Sequence, residues 1–192
     1  MLLLKIVMYL LILFLCITVL FYFQCCLIQP KHFEIIQTSI NELKPDMFLE
    51  KQPIYISDSI VNPADLFNTT FKYLYVKHVL SISDEQLIKQ NLSKFLLIYN
   101  DQEDSDVVVK LSHPINKQHI PIKQMHLYAK NYNISNLSNL NQIQHESMQI
   151  VDVILKPKHI IILPINWYYH TTTSGILEIH LHDCISLIYS IL

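Results

Sequence analysis

One glycine, Gly175, serves a chain of 192 residues, where a soluble protein of this length ordinarily carries about 13. A single glycine cannot build a GxGxxG turn or a Walker loop, so Rossmann and P-loop nucleotide sites are excluded. The 14 basic residues are all lysine, so no guanidinium is present to grip phosphate or carboxylate with two hydrogen bonds. A net charge of −2 gives no electrostatic footprint for nucleic acid, which is not expected as a partner.

The chain begins with a charge-free apolar run, residues 6–28, lying between Lys5 and Lys31. Twenty helical residues cover about 30 Å, the thickness of a bilayer core. The run is longer than a secretory h-region and no Ala-x-Ala site follows it. Residues 1–29 are therefore expected to form a transmembrane signal-anchor, with the lipid bilayer as a partner. Lys5 on one side and Lys31 on the other give little asymmetry. Four Asn-x-Ser/Thr sequons, at Asn68, Asn91, Asn133 and Asn136, tip the expectation toward a type II, single-pass protein that would carry glycans if its domain is luminal. Cys16 lies in the run, Cys25 and Cys26 close it, and only Cys184 follows. No disulfide within the domain and no cysteine-rich zinc site can be built from that set.

After the anchor, residues 34–44 have the periodicity of a short helix within a stalk, 30–47. Residues 53–57 read as a strand opened by proline. Asn62-Pro63-Ala64-Asp65 is a helix start, and 83–89 a second short helix. Residues 95–99 and 107–111 are strand-like, joined by the acidic stretch 101–106, which is read as a solvated hairpin loop. The strand pattern continues over 148–155, 159–163, 167–173 and 177–182. Asp183 can cap a last helix, 183–192. His113, His119 and His126 fall in polar stretches and are read as surface residues.

One segment is familiar. Val153-Ile-Leu-Lys-Pro-Lys-His-Ile-Ile-Ile-Leu-Pro-Ile-Asn-Trp-Tyr-Tyr-His170 resembles the closing motif of JmjC-like cupins: a strand, a turn, an apolar strand, then Pro-x-x-Trp-aromatic-His. Phe48-Leu-Glu-Lys-Gln-Pro-Ile-Tyr-Ile-Ser-Asp58 resembles the family's first strand. Val107-Val-Val-Lys-Leu-Ser-His-Pro114 is similar to its middle strand. With the anchor, the arrangement resembles the membrane-anchored cupin-like proteins of large eukaryotic DNA viruses, which implies a virion or internal host membrane. The expected fold class is mainly β with flanking helices: a degenerate double-stranded β-helix, cupin- or jelly-roll-like, over 48–192, preceded by one transmembrane helix.

Catalytic members of that family hold Fe(II) through a His-x-Asp/Glu pair and a distant histidine, beside 2-oxoglutarate. Here the only such pair is His32-Phe-Glu34, before the domain. The family's distant ligand, five residues after Pro164, falls on Tyr169, while His170 is next in line and faces the other way along a strand. The turn glycine is replaced by Lys158. The expectation is a non-catalytic shell with no cofactor, acting in structure or in contact with an unidentified protein; a tethered Fe(II)/2-oxoglutarate oxygenase is the alternative. A third class is a metal module built from Glu178, His180 and His182, which alternate along one strand, with His170 a further possible ligand. Against it stands the simpler reading of 178, 180 and 182 as the solvent-facing side of a half-buried strand.

Overall fold

A computed structural model describes the backbone of residues 2–27, 30, 32–64, 66, 70, 71, 73–81, 89–115, 150–171, 175–183 and 186, and side chains there except at 2–4, 21–27, 75–81, 89 and 90. The chain is mainly β. Its strands are β1 (Ile36–Thr38), β2 (Ile54–Ile56), β3 (Tyr75–Ser81), β4 (Lys89–Gln90), β5 (Phe95–Asn100), β6 (Val107–Ser112), β7 (Ile150–Leu155), β8 (Ile160–Pro164), β9 (Tyr168–Thr171) and β10 (Ile176–His182), after a helix α1 (Leu2–Leu27). Two sheets form, ordered β1-β2-β8-β5-β10-β3 and β4-β9-β6-β7.

The pairing is nested. β6 pairs with β7, β5 with β8, β4 with β9 and β3 with β10, all antiparallel. The last eight strands thus form one long hairpin folded across two sheets. Cross-pairs β5–β10 and β6–β9 close the winding. Glycine is needed at one corner: Gly175 has φ +91° and a Cβ there would lie 2.5 Å from the Gln102 amide. At the β7–β8 turn Lys158 takes the left-handed conformation, φ +62°, where the familiar motif carries glycine.

Two apolar layers hold the sheets. Ile54, Ile56, Leu97, Tyr99, Ile160, Ile162, Ile179 and Leu181 line the outer face of the six-stranded sheet, beneath Ile60, Leu66 and Phe71. Leu96, Ile98, Ile161 and Leu163 face Val107, Val109, Leu111, Val153 and Leu155 across the space between the sheets, with Trp167 and Tyr169 among them. Both faces of β5 and β8 are buried, which is why those strands read as unbroken apolar runs rather than alternating ones.

Several expectations are corrected. Residues 34–44 are not a helix: the backbone N–H of Ile36 donates to Pro53 O at 2.9 Å, β1 lies parallel to β2, and only a 3-10 turn follows at Ile40–Glu42. A new sheet neighbour satisfies the backbone where a short isolated helix would have been marginal. Within 30–47, read as a stalk, Phe33 and Ile35 pack into the inter-sheet layer and Ile36, Ile40, Leu43 and Met47 onto the outer one. The acidic stretch 101–106 joins β5 to β6, which lie in different sheets, so it is a connection between layers and not a hairpin loop. The helices expected after Asn62 and over 83–89 fall largely outside the described residues.

The transmembrane expectation is also corrected. Among the described residues no helix is long and apolar enough to cross a membrane. The single-pass anchor within the fold class, and the type II membrane localisation, including a virion or host membrane, are withdrawn on that finding.

Candidate functional site

A chain of polar side chains runs through one end of the inter-sheet space. It starts at Asn91, which is fully buried. The Asn91 amide nitrogen donates to Leu163 O and Pro164 O, both at 2.9 Å, tying the loop before β5 to the end of β8. Its Oδ1 accepts the Ser93 backbone N–H at 2.9 Å and the Ser93 hydroxyl as well. Ser93 Oγ then lies 3.3 Å from His180 Nδ1. His180 Nε2 stands 3.6 Å from Glu178 Oε2, and that oxygen accepts the Tyr169 hydroxyl at 3.0 Å.

Strand geometry explains why these residues meet. Ile98 lies opposite Glu178 and Leu96 opposite His180 in the β5–β10 register, and both leucine and isoleucine belong to the inter-sheet layer. Glu178 and His180 therefore project inward, toward the other sheet. Tyr169 reaches them from β9. Burial, together with the Glu178 charge and hydrogen bond, raises the Tyr169 phenol well above its ordinary pKa, so it stays a neutral donor.

The sequence-derived residues fall in different places. Glu178 and His180 come together as neighbours on one face, but Glu178 is only 1% exposed, so the solvent-facing reading of this strand face is corrected. The second sheet covers it. His182 is buried and its Nδ1 lies 3.5 Å from Ser186 Oγ. Asp183 Oδ1 accepts the Ser186 N–H at 2.8 Å and Ser186 Oγ accepts the Asp183 N–H at 3.0 Å, a reciprocal cap at the expected position; the helix beyond lies outside the described residues. Among the described residues no three His, Cys, Asp or Glu side chains stand together as a metal site, so Glu178, His180 and His182 do not form one as a triad.

His170 is buried on the opposite side of β9 from Tyr169, with Nδ1 3.1 Å from Thr171 O. The cavity beside it, bordered by Lys110, Ser112 and Tyr168, holds about 10 Å³, the space of a single water. His113, expected at the surface, is 3% exposed and packs edge-on against Trp167 at 5.2 Å. Its Nδ1 accepts the Ile115 N–H at 3.1 Å, and burial lowers its pKa below the usual imidazole value. Asn91 is corrected as a glycan acceptor: its amide is enclosed and already bonded on both sides. Asn68, Asn133 and Asn136, with His119, His126 and Cys184, lie outside the described residues.

The sequence singles out Tyr169 by its offset from Pro164 and Asn91 only as a glycan acceptor, and it gives no role to Ser93. Beyond each other, their partners on β8 and β10 lie more than 70 residues away along the chain, and no local pattern marks those contacts. Compared with known protein families and with curated proteins, the chain matches none.

Proposed function

We propose that the β-domain is a cupin-like shell that acts in structure or protein interaction and runs no iron chemistry. The observation that carries this reading is the state of Tyr169. It occupies the position that the family motif gives to the distant iron ligand. There it projects a neutral phenol into the inter-sheet space and spends its proton on Glu178. A protonated phenol is a poor substitute for imidazole as an Fe(II) ligand. The nested pairing of β3 to β10 supports the cupin-like part of the reading, because a jelly roll is wound in this way. The residues at the family's site do not fit Fe(II) and 2-oxoglutarate: Tyr169 stands for one histidine, and His170 lies on the opposite face of β9.

The test is titration of the full chain with Fe(II) under anaerobic conditions, with and without 2-oxoglutarate, followed by calorimetry. The expected result is no iron binding that depends on the co-substrate. Iron binding that tightens at least tenfold when 2-oxoglutarate is added would overturn the reading in favour of an oxygenase.

A further inference from the structure

The smaller sheet ends at β7. β6 pairs with β7 on one side, and on the other side no strand follows among the described residues. β7 is six residues long, Ile150–Leu155, and carries a single charge, Asp152. Its register with β6 runs unbroken from Ile150 to Leu155. An edge of this length presents unpaired backbone N–H and C=O groups that a second strand can complete, and proteins usually blunt such edges with lysine, proline or a bulge inside the strand. None of the three lies within β7.

Val153 and Leu155 point into the inter-sheet layer, so Asp152 and Ile154 point to the outside. Lys156, just past the strand, keeps the alternation: 152, 154 and 156 are exposed while 153 and 155 are buried. Ile154 is 58% exposed. The outward row is therefore negative, apolar, positive, and it is its own complement when reversed. Consider two β7 strands paired antiparallel about a two-fold axis that passes through Ile154, perpendicular to the sheet. Ile154 then faces its counterpart, and each Asp152 faces Lys156 of the other copy. Opposite residues in such a pair stand about 4.5–5.5 Å apart, and unlike charges there attract. On the inner side Val153 comes opposite Leu155 of the other copy, so both faces match. An axis through Asp152 would set carboxylate against carboxylate, and one through Val153 would set Asp152 against Ile154. Lys110 already lies opposite Asp152 within the chain, 2.9 Å away, so the carboxylate would have a cation on either side. Pro157, which has no N–H, ends the ladder after Lys156.

We propose that a second copy of this chain docks edge to edge on β7 through residues 152–156, joining two four-stranded sheets into one continuous sheet. The inference rests on the interaction role proposed above and names its partner. The contact uses the same patch on both copies, so it closes at two chains instead of growing into a fibre. A ladder this short makes a small interface, and the dimer forms and dissociates with concentration.

The experiment traps the contact as a disulfide in the full chain, with the four native cysteines changed to serine and a non-ionic detergent present to coat the exposed apolar side chains of α1. Ile154→Cys places two thiols opposite each other, within the Cα separation of about 4.4–6.8 Å that a disulfide spans. Mild oxidation is expected to join the chains at position 154, as read on non-reducing gels and by mass spectrometry of the linked peptide. Leu49→Cys, at a site 80% exposed, reports random collision and should link at least tenfold less. Asp152→Lys or Lys156→Asp, each added to Ile154→Cys, sets like charges opposite and should cut the yield at least tenfold. Mixing the two charge variants should restore it, because each supplies the charge the other lacks. Absence of the bond at 154, equal yields from Ile154→Cys and Leu49→Cys, or a mixture that links no better than either charge variant alone each overturns the proposal. So does protection of the 152–156 amides from hydrogen exchange in a chain that forms no such bond, which would give the edge to another segment. Iron binding that tightens with 2-oxoglutarate would overturn the shell reading and leave this dimer standing, whereas a monomer that binds no iron would overturn the dimer alone.

Discussion

The two ends of the inter-sheet layer are held by different physics. At one end Val107, Val109, Leu155, Ile161 and Ile176 meet in a dry apolar contact. Their stabilisation is non-directional and grows with the area removed from water, about 25 cal/mol per Å². At the other end hydrogen bonds link Asn91 to Ser93 and Ser93 to His180, and Tyr169 to Glu178, with His180 and Glu178 3.6 Å apart. Directed bonds contribute little net stability each, yet leaving one unmade inside the protein is expensive. The apolar end tolerates small changes of shape. The polar end fixes which residues stand opposite one another.

Substitutions can break that contrast. Asn91→Ala is expected to have the largest effect, a loss on the order of 4 kcal/mol, because it strips a partner from two buried carbonyls and from Ser93 at once. Urea midpoints at unchanged slope would measure it. At the apolar end Leu155→Ala should cost about 3 kcal/mol through lost transfer energy and the cavity left behind. A shift in Leu155→Ala that exceeds that of Asn91→Ala reverses the assignment of the two ends.

Tyr169→Phe is smaller, about 1–2 kcal/mol at neutral pH for one buried bond to a carboxylate, and it sharpens the comparison through pH. The folded phenol keeps its proton to higher pH than the unfolded one, whose pKa is about 10. The unfolded chain therefore ionises first, and the stability held by neutral Tyr169 is complete below pH about 10 and lost as the pH rises beyond it. Wild-type urea midpoints should drop steeply on that alkaline limb, and the Tyr169→Phe variant should show a shallower slope. Identical slopes would mean that the phenol is not the group being titrated. The smallest effect belongs to the outer surface: Lys110 and Asp152, 2.9 Å apart but 31% and 53% exposed, should lose less than about 1 kcal/mol in Lys110→Ala, and added salt should remove the difference.

Legibility along the sequence followed the same division. β8 is readable because an apolar run between Pro157 and Pro164 leaves little choice but a buried strand. β2, β5, β6 and β10 were found within a residue or two of their bounds for the same reason of period and flanking turns. The helix expected over 34–44 failed because Ile36, Ile40 and Leu43 match helical spacing equally well when they belong to a strand and a turn that cap the outer layer. The faces of β10 were misread because alternation of polar and apolar residues ordinarily marks a solvated side. Nothing in 176–182 announces that a second sheet covers Glu178, or that Ser93 and Tyr169 supply its neighbourhood. Contacts at long separation carry the site, and such contacts are invisible to any local window.

Winding the last eight strands as one nested hairpin has a consequence for how the chain is made. β10 sits between β5 and β3 in the larger sheet, yet among the described strands it is the last to be synthesised. Until residues 176–182 leave the ribosome, β3 lacks its one sheet neighbour among the described residues and the edge of β5 away from β8 lies open. Pairings that join residue 75 to residue 182 are among the slowest to form, because a long loop must close before any contact rewards it. The nascent chain must therefore carry an unfinished sheet with exposed strand edges until β10 is made, and it is in that interval, before this strand slots in, that the protein is most open to aggregation or to capture by a chaperone.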